Sequence, residues 1–192
     1  MIAIQIMITE ESYAMAINNG PANLRDAKRS HNWLEWENVI QVELEQHRTI
    51  GTWSLVIKPW DAIPITNKWV FVRKTNKLGD ITENKARLVI KGCLQQPRFD
   101  FNETYAPVVR IETVRLLLAM VPRLDLRVQQ MDIKGAYLNG ILKETIYMRQ
   151  PEGYSDGTDR VCKLNRTLYG LKQAGREWNQ QLDLRLQSLQ FK

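Results

Sequence analysis

Apolar and polar positions alternate along this chain with two different periods. In WLEWENVIQVELEQH (33–47) apolar side chains recur every three or four residues, which puts Trp33, Trp36, Val39, Ile40 and Leu44 on one face with glutamates opposite. That is the pattern of a helix lying on a core. TWSLVIKPW (52–60) and NKWVFVRKTNKLGDITENKARLVIKG (67–92) change to the two-residue period of strands. In the second of these, Asn76, Gly79 and Asp80 mark a turn, so the run reads as a hairpin. ETVRLLLAMV (112–121) is helical and stops at Pro122, after which LRVQQMDI (126–133) reads as a strand carrying Asp132 at or near its end. EWNQQLDLRLQSLQF (177–191) returns to helix, with Trp178, Leu182, Leu186 and Leu189 as the expected buried stripe. The mixture defines an α+β fold.

The chain has 192 residues, 44% of them hydrophobic, which suits about one domain with a core of its own. No repeat or low-complexity tract divides it, and the nearest thing to a boundary is NNGPAN at 18–23. Residues 1–30 therefore read as a partly irregular lead segment and 31–192 as the domain. The opening MIAIQIMI is apolar but lacks a basic start and a cleavage site and is too short to cross a bilayer, so it reads as a strand or a ragged start. No membrane partner or secretory address is expected. An intracellular location, cytoplasmic or nuclear, is the expectation.

Charge narrows the choice of partner. The net charge is +6, and between Lys58 and Gly92 eight basic residues face three acidic ones, which concentrates nearly the whole excess on the hairpin. A twisted hairpin can present such cations beside Trp69 and Phe71, an arrangement suited to phosphates and bases. A lysine-guarded sheet edge fits the same pattern. Cys93 and Cys162 have neither zinc-ligand nor disulfide spacing, and His31 and His47 form no two-ligand pattern and read as surface residues.

The candidate chemistry centres on QMDIKGAYLNG (130–140). A carboxylate at a strand end next to small residues, in a chain with a basic hairpin, meets the needs of metal-dependent phosphoryl transfer: Asp132 would hold Mg²⁺ while lysine and arginine clamp phosphate oxygens. A turn or cap aspartate is the plain alternative. Further strings then narrow the reading: TWSLV, NKWVFVRK, KARLVIKG, DFNETYAPVVR, QMDIKGAYLNGIL, IYMRQPEGY and VCKLNRTLYGLKQAGREW, in that order. Together they closely resemble the reverse transcriptase region of Ty1/copia-type retrotransposon polyproteins, from about Trp33 to Phe191.

The resemblance implies an incomplete right-hand polymerase fold, fingers plus the first half of the palm, acting on deoxynucleoside triphosphates and an RNA or DNA primer-template with Mg²⁺. Asp132 matches the first catalytic, metal-binding aspartate, Ile133 the neighbour whose backbone lines the triphosphate site, and Tyr137 the aromatic gate against a 2′-hydroxyl. Lys74 and Arg87 match the clamps on the β- and γ-phosphates, with Lys68 and Lys85 as the alternatives in a register shifted by a few residues. Gln173, beside Lys172, matches the polar residue that contacts the nucleotide or the template base pair. Lys68, Lys77, Lys85, Lys91 and Lys172 would face nucleic acid. The polyprotein context implies integrase and ribonuclease H segments as neighbours.

Two-metal nucleotidyl transfer needs further carboxylates, which the family carries in a Y-x-D-D turn. No Asp-Asp pair occurs in the 192 residues. The expectation is therefore a chain that does not polymerise by itself, with a non-catalytic nucleic-acid-binding remnant of a transposon as the alternative. Three departures from the family pattern bear on turn geometry: Gly135 in place of a small hydroxyl residue, Gly175 in place of proline, and Arg98 in place of a glycine. At Arg98 a position suited to positive φ has lost its permissive residue.

Overall fold

The computed structural model describes residues 20–190, so the reading of MIAIQIMI as a strand lies outside the described residues. Among the described residues, four α-helices, α1 (Leu24–Arg29), α2 (Trp33–Ile50), α3 (Ile111–Met120) and α4 (Ala174–Ser188), are combined with five strands, β1 (Trp53–Ile57), β2 (Asn67–Thr75), β3 (Ile81–Ile90), β4 (Tyr147–Met148) and β5 (Arg160–Leu164). All strand pairs are antiparallel: β2 with β3 as a separate hairpin, and β1, β5 and β4 as a three-stranded sheet with β5 central. One apolar core joins all of them except α3, none of whose residues belongs to it. Trp36, Ile40 and Leu44 of α2 meet Phe71, Ala86 and Leu88 of the hairpin, and the cluster continues through Ile146, Met148, Cys162 and Leu168.

Local chemistry accounts for the element ends. Asn23 caps α1 by accepting the Asp26 N–H at 2.9 Å. The part of the lead segment that is described thus forms a helix, and its Leu24 and Ala27 belong to the common core. Helix α2 ends where Gly51 turns left-handed (φ 69°) and its N–H reaches back to the last carbonyls. The hairpin closes as expected: Asn76 Oδ1 accepts the N–H groups of Leu78 and Asp80 at 2.9 Å each, and Gly79 takes φ 91°. At the far end Asn67 fastens the hairpin to the 149–152 loop, donating to the Arg149 carbonyl at 2.8 Å and accepting from Glu152 N–H at 3.0 Å.

Five expectations need correction. Residues 126–133 form no strand, because a strand requires a hydrogen-bonded neighbour and none among the described residues pairs with this run. Trp69 and Phe71 are 2% and 1% exposed, on the core side of the hairpin, so their rings are unavailable to bases. His47 is buried rather than superficial: its Nδ1 lies 3.1 Å from Thr52 Oγ1, its Nε2 lies 3.3 Å from Glu43 Oε1, and its ring packs on Trp53. Glu43 itself is buried and accepts the Leu88 N–H, so a polar residue shares the apolar stripe of α2. Along α4 only Trp178 of the expected stripe is buried, and Leu189 is exposed.

Arg98 adopts φ 69°, as the missing glycine suggested, with its N–H bonded to the Phe101 carbonyl at 2.8 Å. A side chain in the left-handed region costs about 1 kcal/mol. Arg98→Gly should therefore raise the urea-unfolding free energy by about 0.5–1 kcal/mol, since glycine's greater unfolded-state entropy offsets part of the relief. An unchanged or lowered midpoint would show that the arginine side chain makes up for its own strain.

Candidate nucleotide site

A cavity of about 440 Å³ opens between α2, β3 and the 131–137 segment. It gathers Asp132, Ile133 and Tyr137 from that segment, Lys85 and Arg87 from β3, and Tyr169 and Trp178 from farther along the chain. Five of the residues singled out by sequence thus share one space. Positions 85 and 87 meet because β3 alternates sides: Lys85 and Arg87 point away from the core face that carries Ala86 and Leu88.

The 131–137 segment owes its shape to glycine. Gly135 is left-handed (φ 61°), and a Cβ there would stand 2.4 Å from Gln46 Nε2 of α2, so the hydroxyl residue usual at this position would carry backbone strain and require the end of the Gln46 side chain to swing aside. Behind Gly135 a short 3₁₀ turn, Ala136–Asn139, carries Tyr137, whose carbonyl accepts from the Thr167 hydroxyl. The tyrosine ring lies edge-to-face with Tyr169, centroids 6.3 Å apart, and Tyr169 in turn sits 5.3 Å from the Arg87 guanidinium carbon. Gly175, in the first turn of α4, is a position where proline also fits, because its N–H is not needed there.

The remaining candidates lie outside the cavity. Lys74 Nζ is 3.6 Å and Lys85 Nζ 3.5 Å from the same Glu83 carboxylate oxygen, so one acid bridges two of the candidate clamps. Lys68 and Lys77 are exposed on the hairpin, and Lys91 is exposed just beyond it. Lys172 lies over the Phe101 ring at 4.7 Å. Gln173 is 1% exposed and does not line the cavity. Its Nε2 donates to the Asp100 carbonyl at 2.7 Å, and its Oε1 accepts from Gln95 at 3.0 Å.

Tyr169 and Gln46 line the cavity without having been singled out by sequence, and Trp178 was expected only as part of a buried stripe. The indole N–H of Trp178 is buried and has no hydrogen-bond partner among the described residues. Only its helical spacing was legible, and that pointed to the core.

The donor set does not by itself make a magnesium site. Asp132 is exposed, the other two cavity carboxylates are committed to Leu88 N–H (Glu43) and to the hairpin lysines (Glu83), and the described residues contain no group of three or more metal-ligating side chains. Elsewhere, burial pushes the Cys162 thiol up to about 12, so it is an inert core residue.

A basic hairpin and a loop aspartate thus line one cavity in a small mixed α and β fold. The chain belongs to the reverse transcriptase (RNA-dependent DNA polymerase) family, whose model matches residues 50–192. Within that family it is a segment of the Ty1/copia type. It is 41% identical, over 85% of its own length, to the Retrovirus-related Pol polyprotein from transposon TNT 1-94 of Nicotiana tabacum, and 34% identical, over 94%, to that from transposon RE2 of Arabidopsis thaliana. It spans 12% of the length of each. It is also 39% identical, over 47% of its length, to 53% of an uncharacterized mitochondrial protein of Arabidopsis thaliana. No solved structure matches.

Proposed function

We propose that this chain forms the nucleotide-binding side of an RNA-directed DNA polymerase of a copia-type retrotransposon, the fingers and first half of the palm of a right-hand fold spanning residues 31–192. Its ligands are a deoxynucleoside triphosphate and an RNA or DNA primer-template, and it works beside the integrase and ribonuclease H segments of a polyprotein. The observation that carries this reading is the single cavity lined by Asp132, Lys85, Arg87 and Tyr137. In it Lys85 and Arg87 hold phosphate oxygens, Tyr137 closes the space at the sugar, and Ile133 offers backbone. Lys74 acts through Glu83 by releasing Lys85 or retaining it, and Gln173 acts indirectly, by fixing the loop at Asp100.

Asp132 supplies one of the carboxylates that metal-assisted transfer requires, and Mg²⁺ would there offset charge on the phosphates. The 192-residue chain is accordingly expected to bind nucleotide without extending a primer. Titration of the purified chain with a fluorescent deoxynucleoside triphosphate should give saturable binding that Lys85→Ala and Arg87→Ala each weaken by about tenfold, the scale of one lost charge-assisted phosphate contact. Absence of binding, or binding indifferent to both changes, rules the site out. Primer extension that disappears in Asp132→Asn would overturn the expected inactivity.

A further inference from the structure

We propose that Tyr169 is a positioning residue that sets the spacing between the Tyr137 ring and the Arg87 guanidinium. The consequence for nucleotides rests on the reading above; the geometry does not. Tyr169 touches both groups, with its ring edge-to-face against Tyr137 at an interplanar angle of 83° and under the Arg87 guanidinium carbon at 5.3 Å. All three residues line the same cavity.

The backbone around Tyr169 is held on two sides. Its carbonyl accepts the Ile90 N–H at 2.9 Å, three residues along β3 from Arg87. Gly170 follows with φ 91° and so close to β3 that a Cβ would stand 2.2 Å from the Ile90 carbonyl oxygen. On the other side fully buried Leu168 anchors the chain in the core, and the Thr167 hydroxyl donates to the Tyr137 carbonyl. Residues 167–170 therefore grip β3 at Ile90 and the 3₁₀ turn at Tyr137, and the Tyr169 ring fills the gap between their functional side chains. A ligand that places phosphate at Arg87 and sugar at Tyr137 is measured against that one ring. Removing the ring leaves both end groups in the sequence but lets each relax separately, so the sugar is read less sharply.

The test uses the 192-residue chain with ¹³C-labelled tyrosine, the Tyr137 ring signals being identified by their loss in Tyr137→Phe. Tyr169→Leu should move the Tyr137 ring resonances, because the ring current of its neighbour is gone, while Tyr169→Phe leaves them near their original place. With dATP and ATP as probes, Tyr169→Leu should reduce the preference for dATP by about fivefold, in keeping with the loss of one aromatic pair, and Tyr169→Phe should retain it. Arg87→Gln supplies a second handle should the leucine variant not fold: it should shift the Tyr169 ring signals. Unmoved Tyr137 signals in a folded Tyr169→Leu, or unmoved Tyr169 signals in Arg87→Gln, overturn the inference. Shifted signals in a chain that binds neither triphosphate support the positioning role and overturn only the nucleotide reading.

Discussion

Gly170→Ala should destabilise the protein by about 3 kcal/mol or more, through left-handed backbone strain and overpacking acting at one atom. Gly170 has φ 91°, and a Cβ built on it meets the Ile90 carbonyl oxygen at 2.2 Å and Val89 Cγ1 at 2.8 Å. The obstacle is mainly backbone, which cannot swing aside as the end of a side chain can. Gly92 presses on the same contact from the other side, with its virtual Cβ 2.0 Å from the Gly170 carbonyl oxygen. Gly51→Ala is the matched control: it has a similar φ of 69° but nothing within 4 Å of the added carbon, so it should lose only about 1 kcal/mol. Urea unfolding of the three proteins separates the contributions. Equal losses at 51 and 170 would mean that β3 and the 169–171 segment part easily, and the cavity they frame would then not be a fixed one.

How far the sequence could be read follows from the range of each interaction. The hairpin was legible because its alternation, turn residues and register are local, as were the helical runs at 33–47 and 112–121. The two faces of the hairpin were legible too, but went unused: Trp69 and Phe71 occupy odd positions and Lys68 and Lys74 even ones, which in a strand places them on opposite sides. The buried polar pair on α2 was readable in the same way, since Glu43 and His47 continue the spacing of Trp36, Ile40 and Leu44. What could not be read depends on distant partners. Gln173 draws its bonds from Gln95, 78 positions away, and from Asp100, 73 away. Tyr169 gains its place from Arg87 and Tyr137, which no periodicity links. The alternation at 126–133 is genuine, but alternation provides only a face and the neighbour makes the strand. The expectation that Asp132 ligates a metal likewise rested mainly on resemblance; the local sequence supports a turn residue at least as well.

Charge on the hairpin yields the other large effect. The register Lys68↔Val89, Val70↔Arg87, Val72↔Lys85 and Lys74↔Glu83 puts Lys68, Lys74, Lys85 and Arg87 on one face, opposite the core side with Trp69 and Phe71. Because those rings are buried, the face can hold nucleic acid through phosphates but not by stacking bases. Binding should therefore be strongly salt-dependent and weakly selective for sequence. Four phosphate contacts correspond to a slope of about −3 to −4 in log affinity against log salt on a duplex primer-template. Replacing all four cations with alanine should make that slope shallower by about 3 to 4, leaving only the share of Lys77, Lys91 and Lys172, and weaken binding at low salt by about a hundredfold or more. Glu83 works in the opposite sense, because its carboxylate stands within 3.6 Å of Lys74 and Lys85 and competes with phosphate for both. Glu83→Gln should consequently tighten binding and steepen the slope, a gain that a purely structural ion pair would not give. Fluorescence anisotropy over a salt series measures all three proteins. If the quadruple variant keeps the original slope, the phosphates lie elsewhere, with Lys172 and Arg98 the next cations to replace, and the hairpin's lysines serve only to guard its edge.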